Sequence, residues 1–250
     1  MGAGAKTKEY MKIYKEHQSF NPVVRDRYAT VITVTDEDTF GAASHYDNAC
    51  CLNFASHKRP GGGYKAVQHV PMPIKTQEED LFRRSNLPDI MDTKQVRQHY
   101  PLSGVEGIYC GGVQVERDNK LVAHDPYTVA VVTVPAVVNP QPHQKCLVRD
   151  KVKRILEIAA DQGHDVLILG AWGCGVFNND PEEIARLFKG FLEDEFRGVF
   201  SEVVFAIPGK ESRNYKLFES VLHETLHPAQ AAPVQVPEAE TRAGEEPPAV

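Results

Sequence analysis

The chain has 250 residues, 42% of them hydrophobic and 25% charged, with a net charge of −6 at pH 7. These values fit a globular chain of one sizeable or two small domains. They exclude a general polyanion-binding surface held by a basic field, because an acidic chain does not draw polyanions in from a distance.

No apolar run approaches the roughly 20 residues of a membrane helix. The N-terminal stretch is polar and has no apolar signal core, so secretion is not expected. Lys6 breaks the myristoylation pattern that Gly2 would open. Five cysteines with no CxxC pair suit reduced, buried thiols and a cytoplasmic or nuclear protein.

Taken in order, Tyr10, Ile13 and Tyr14 stand at helical spacing, which predicts a helix over 8–18 that Asn21-Pro22 ends. A strand follows at 29–34 and a short helix at 39–43. Residues 49–54 read as a buried strand that feeds three glycines, Gly61, Gly62 and Gly63. A helix over 77–86 is stopped by Leu87-Pro88, and a further turn falls at 95–100. Two short strands flank Gly111-Gly112. Thr128 to Val134 is the strongest strand, apolar on both faces and therefore expected to be central and parallel.

Val148, Val152, Ile155, Leu156 and Ala159 mark an amphipathic helix. Residues 165–169 form a buried strand that runs into a second glycine-rich loop at 170–177. Asp180-Pro181 is an N-cap and first-turn pair for the next helix. A last strand at 203–207 and a last helix at 214–226 complete the pattern. Residues 228–250 hold five Pro, six Ala and four Glu with no aromatic, so they cannot bury a core and are expected to be disordered.

Alternating strands and helices predict an α/β domain over 1–227, with an N-terminal helical extension and a largely parallel sheet. Both glycine loops leave carboxyl ends of strands, where open α/β sheets bind ligands. A strand, a glycine loop and a helix start are the parts of an anion cradle. Glu78 and Glu79 at that helix start are out of place for simple anion binding and point to chemistry on a neutral part of a ligand. Neighbours on a helix point about 100° apart, so the two carboxylates need different roles. His45, His57, His69 and His143 lack metal-ligand spacing, and no cofactor or metal is expected.

Pro60 to Gly63, the Gln77-Glu78-Glu79 triplet, Leu81 to Leu87, Thr133 to Ala136 and residues 170–177 together resemble the microbial-type poly(ADP-ribose) glycohydrolases. The resemblance covers most of the chain, with both loops in the same order. It implies a macrodomain fold, a three-layer sandwich around a mixed, largely parallel sheet. It also implies hydrolysis of ribose–ribose O-glycosidic bonds in poly(ADP-ribose) or ADP-ribosylated protein, releasing ADP-ribose.

By the same resemblance Glu79 is the catalytic acid/base, and Glu78 binds hydroxyls of the terminal ribose. Asn53, Gln77 and the first loop hold the substrate. Gly173, Cys174, Gly175, Val176 and Phe177 wrap the diphosphate, with the Phe177 ring against a ribose. Asn214 and Phe218 match the family's adenine side only loosely, and Phe218 fits core packing at least as well as base stacking. The alternatives are a non-catalytic ADP-ribose reader and a mono-ADP-ribosyl hydrolase on protein or nucleic acid. A monomer is expected, with no membrane and no general nucleic-acid partner, and with ADP-ribose affinity only weakly sensitive to salt.

Trp172 could be core, and Arg83-Arg84 could be a solvated helix face. Two departures stand out. The insert from Tyr64 to Thr76 is longer than the family's, and Cys110-Gly111-Gly112 replaces a polar segment.

Overall fold

The structure is a computed structural model that describes residues 11–21, 23–67 and 76–223. Its strands are β1 (Met11–Tyr14), β2 (Val31–Thr35), β3 (Cys50–Asn53), β4 (Gly107–Arg117), β5 (Ala123–Thr133), β6 (Val166–Leu169) and β7 (Glu202–Ala206). They form a single sheet in the order β1-β4-β5-β3-β6-β7-β2. The run β5-β3-β6-β7-β2 is parallel, and β4 and β1 add antiparallel at one edge.

The helices are α1 (Thr39–Ala43), α2 (Gln77–Arg84), α3 (Leu87–Met91), α4 (Lys94–Arg97), α5 (Lys145–Asp161), α6 (Pro181–Glu193) and α7 (Arg213–His223). Strand alternation divides the core between the two faces of the sheet. Cys50 and Leu52 face a cluster built with α5, α6 and α7, whereas Cys51 faces one built with α1 to α4. Three layers result, a mixed α/β sandwich.

Four local readings of the sequence change. Where the spacing predicts an N-terminal helix, Met11 to Tyr14 are a strand and the residues after them a turn. Met11 to Tyr14 pair with Cys110 to Gly107, and Tyr14 O–H donates to Asp161 at 2.5 Å from the far face. Long-range pairing overrides the local spacing of Ile13 and Tyr14. Pro88 starts α3 rather than merely stopping α2, because a ring in a first helical turn costs no hydrogen bond. The two short strands at 107–115 are one strand with a register shift between Cys110 and Val113, where the glycines sit. The strong strand β5 is parallel to β3 but antiparallel to β4.

Residues 228–250 and most of the long insert lie outside the described residues, as does Pro22. No helix among the described residues is long and apolar enough to cross a membrane.

Candidate active site

The site starts from β3. Its last residue, Asn53, is fully buried, and the chain then turns through Phe54 and Ser56 into the first glycine loop. Gly61 has φ +71°, and a Cβ there would stand 2.6 Å from the Phe82 ring, so only glycine lets the loop close onto α2. Thr76 caps α2, its hydroxyl accepting from Glu79 N–H at 3.3 Å, and three acidic residues fill the first turn as the helix dipole favours.

Gln77 fastens that helix start to the sheet. Its Nε2 donates to Leu52 O at 2.7 Å and to Thr39 Oγ1 at 3.0 Å, while its Oε1 accepts from Phe54 N–H at 2.8 Å. All its polar atoms are engaged with protein, so Gln77 shapes the wall of the cleft.

Glu78 and Glu79 diverge, as helix geometry requires. Glu78 is 2% exposed. It accepts from Ser56 N–H at 2.8 Å, Gly61 N–H at 3.1 Å and Asn53 Nδ2 at 3.3 Å. The anion in the first glycine cradle is therefore the protein's own carboxylate. Burial pushes the Glu78 carboxyl up to about 7, against the pull of those donors. Glu79 points elsewhere, and a Cβ on Gly63 would stand 2.8 Å from its Oε1. Gly63 is what leaves room for that carboxyl.

Two side chains near Glu78 are not among the candidate site residues, although Thr133 opens a stretch that carries the family resemblance. Thr133 Oγ1, at the end of β5, accepts from Asn53 Nδ2 at 3.3 Å. The Tyr100 phenol is held neutral by burial, with the charge of Glu78 adding to the effect. Each takes its place through sheet pairing or loop packing, not through a local pattern.

The second loop leaves β6. Gly173 has φ +74°, and a Cβ there would meet Ala136 Cβ and Asn179 Nδ2 at 2.7 Å. Asn179 Nδ2 donates to Val137 O at 2.8 Å and Gly173 O at 3.1 Å, and Asn139 N–H donates to Phe177 O at 2.8 Å. The loop's carbonyls are thus turned into the protein. The N–H groups of Gly173, Gly175, Val176 and Phe177 have no acceptor among the described residues.

These residues, with Phe54, Thr76, Gln77, Ala136, Ala171 and Trp172, line a cleft of about 170 Å³. Val176 is 77% exposed at its lip. The Cys174 thiol gives its hydrogen to Trp172 O at 3.4 Å, and burial pushes it up to about 12, which removes it as a thiolate nucleophile. Trp172 is fully buried, its indole N–H donating to Val134 O at 2.8 Å, so it supports the cleft floor from the core.

One expectation, a base-stacking Phe218, fails. Phe218 is fully buried and packs on Phe205 at 5.5 Å between ring centroids, so its face is closed to a base. Asn214 is half-buried at the start of α7. Arg84, which could have been a solvated face, is 3% exposed and pairs with Asp38 at 2.7 Å and Asp80 at 2.9 Å. Among the described residues no three His, Cys, Asp or Glu side chains group as metal ligands, and His45 pairs with Glu37 at 2.8 Å.

Comparison with known proteins gives a consistent answer. Residues 3–118 match the catalytic domain of microbial-type PARG. The poly(ADP-ribose) glycohydrolase of Deinococcus radiodurans, crystallised with ADP-ribose, is 34% identical over 80% of this chain and 87% of its own, with a TM-score of 0.70. The enzyme from Thermomonospora curvata is 31% identical over 84% and 85%, with a TM-score of 0.69. Its complex with the inhibitor ADP-HPD matches at 34% identity over 77% and 79%, with a TM-score of 0.66. A comparison with curated protein sequences returns no match. At these identities and coverages, the chain belongs to the microbial-type poly(ADP-ribose) glycohydrolase family.

Proposed function

We infer that this protein hydrolyses the ribose–ribose O-glycosidic bond of poly(ADP-ribose) and releases ADP-ribose. The observation that carries the reading is the split between the paired glutamates. Glu78 is clamped by three donors inside the first loop, while Glu79 lies against Gly63.

The second loop supplies four outward N–H groups to the diphosphate of the terminal unit. Its distal ribose then reaches the glutamates. Glu78 accepts hydrogen bonds from ribose hydroxyls and fixes the ring. Asn53 Oδ1, buried with no partner among the described residues, is an acceptor for the same purpose. Glu79, protonated, gives its proton to the leaving ribose oxygen as the C–O bond breaks and an oxocarbenium-like centre forms. As a carboxylate it then takes a proton from the attacking water. The water oxygen ends on the released ADP-ribose and the proton on Glu79. The substrate's own diphosphate, folded close, stabilises the cation.

A simple reader has no need of a carboxyl such as Glu79 beside a bound sugar. Residues 11–223 act in this reading as one catalytic domain, and the substrate is the polymer or polymer-bearing protein.

The test uses automodified, poly(ADP-ribosyl)ated protein with wild type and Glu79→Gln side by side. Wild type shortens the polymer, and the variant loses roughly a hundredfold to ten-thousandfold of the rate, the usual worth of a general acid/base. A wild type that binds ADP-ribose but leaves the polymer intact overturns the reading.

A further inference from the structure

The polymer has to leave the cleft past the first glycine loop. The cleft assigned to the released unit is walled by Phe54, Gln77 and the second loop, and Glu79 lies against Gly63 of the first. Beyond Gly63 the chain runs at once into Tyr64 and Lys65. Tyr64 O–H donates to Asp92 at 2.7 Å, Lys65 Nζ pairs with the same carboxylate at 2.6 Å, and Arg97 pairs with its other oxygen. The Asp92 side chain is 4% exposed, whereas those of Lys65 and Arg97 are 58% and 54% exposed. One buried carboxylate therefore holds two exposed cations in place.

The opposite flank of the same loop is basic too. Leu102 N–H donates to His57 O at 2.9 Å, so the segment after α4 runs beside the loop. Lys58 and Arg59 follow His57. Both are exposed, and neither has a carboxylate partner among the described residues. Asp89 adds its charge to the field at Tyr64. Lys58, Arg59, Lys65 and Arg97 are thus four cations on one loop and its neighbour, on a chain whose net charge is −6, with Glu78 buried under the loop and Glu79 against Gly63.

We propose that Lys58, Arg59, Lys65 and Arg97 form a diphosphate-binding subsite for the polymer unit on the leaving side of Glu79. The proposal rests on the glycohydrolase reading and deepens it. Every polymer unit carries a diphosphate, and the unit beyond the scissile bond begins next to Gly63. Asp92 fixes Lys65 and Arg97 before substrate arrives, so less side-chain entropy is lost on binding. Arg97 uses Nε and Nη2 on Asp92 and keeps Nη1 for a phosphate oxygen. A single ADP-ribose on an uncharged leaving group never meets these residues, so the subsite favours polymer over single units.

The experiment measures steady-state hydrolysis by the full chain on two substrates. One is poly(ADP-ribose). The other is the p-nitrophenyl glycoside of ADP-ribose, which has no leaving-side phosphate. Lys58→Ala/Arg59→Ala is compared with wild type, and Lys65→Ala/Arg97→Ala is added as a second variant because it strips Asp92 of its partners. For both variants polymer KM rises roughly tenfold at low salt with kcat held, and the slope of log KM against log salt falls by about 1.4, for two phosphate contacts. On the p-nitrophenyl substrate both match wild type.

Equal losses on the two substrates, or a polymer KM unchanged in Lys58→Ala/Arg59→Ala, overturn the proposal. Inhibition by single-stranded DNA of matched charge as strong as by product-resistant polymer makes the patch a general polyanion surface and also overturns it. A wild type inert on polymer overturns this proposal and the glycohydrolase reading together, whereas an active wild type matched by its variants overturns this proposal alone.

Discussion

The two glycine loops leave neighbouring parallel strands and share a composition, yet they hold opposite things. The first turns its N–H groups at Ser56 and Gly61 onto the protein's own Glu78. The second turns its carbonyls inward, through Asn139 and Asn179, and leaves the N–H groups of Gly173, Gly175, Val176 and Phe177 without an acceptor among the described residues. A glycine loop at a strand end is thus not by itself a phosphate site. What decides is whether a side chain of the protein already occupies the cradle. In the first loop a buried carboxyl does, and the proposed function accordingly puts the chemistry at that loop and the grip at the second.

The largest effect that would break this comparison is on Glu78. Glu78→Ala leaves the N–H groups of Ser56 and Gly61 without their acceptor and the amide of Asn53 with Thr133 alone. Orphaned buried donors cost about 1–3 kcal/mol each, partly offset because a costly buried carboxyl is also removed. A net loss of roughly 2–4 kcal/mol in urea unfolding is expected, together with loss of hydrolysis. An unchanged unfolding midpoint would mean the first loop does not depend on its internal anion.

The pH dependence of stability sharpens the same point. Burial raises the Glu78 carboxyl from 4.5 to about 7, so the folded state holds its proton more tightly than the unfolded chain. That contribution is fully present below about pH 4.5 and is lost as pH rises through about 7, amounting to on the order of 3 kcal/mol. Urea midpoints of the unliganded protein should fall across this window, and Glu78→Gln should flatten the fall. A stability that rises with pH through the window, with Glu78 its source, would contradict the burial argument.

The smallest effect tests what lies behind the second loop. Phe218 belongs to the core on the α7 side, so Phe218→Leu should cost about 1 kcal/mol and leave ADP-ribose affinity unchanged within about twofold. A tenfold loss of affinity, about 1.4 kcal/mol, with little change in stability would restore a base-stacking role.

Most of this arrangement is legible in the residues because its signals are local. Thr39–Ala43, the strand into Asn53, the cap at Asp180 and the helix opening at Gln77 all read correctly from capping and apolar pattern. Apart from Pro88, whose reading turns on a local helix start, the misreadings share a physical cause, which is a partner far along the chain. Met11–Tyr14 is a strand only because β4 lies beside it. Phe218 is core only because Phe205 meets it, and Arg84 is buried only because Asp38 comes to it. The occupant of the first cradle is likewise set by tertiary contact. Ser56, Thr133 and Tyr100 surround Glu78 from three different segments, with no shared motif to announce them.

The most direct test crosses the two loops. ADP-ribose affinity by calorimetry and polymer hydrolysis at saturating substrate are measured for Glu79→Gln and Gly173→Ala. The account predicts that Glu79→Gln keeps ADP-ribose affinity within about threefold and loses hydrolysis, whereas Gly173→Ala weakens affinity roughly tenfold or more and keeps most of kcat. If Glu79→Gln instead binds poorly and turns over normally, or if Gly173→Ala loses kcat with affinity intact, the division between chemistry in the first loop and grip in the second is wrong.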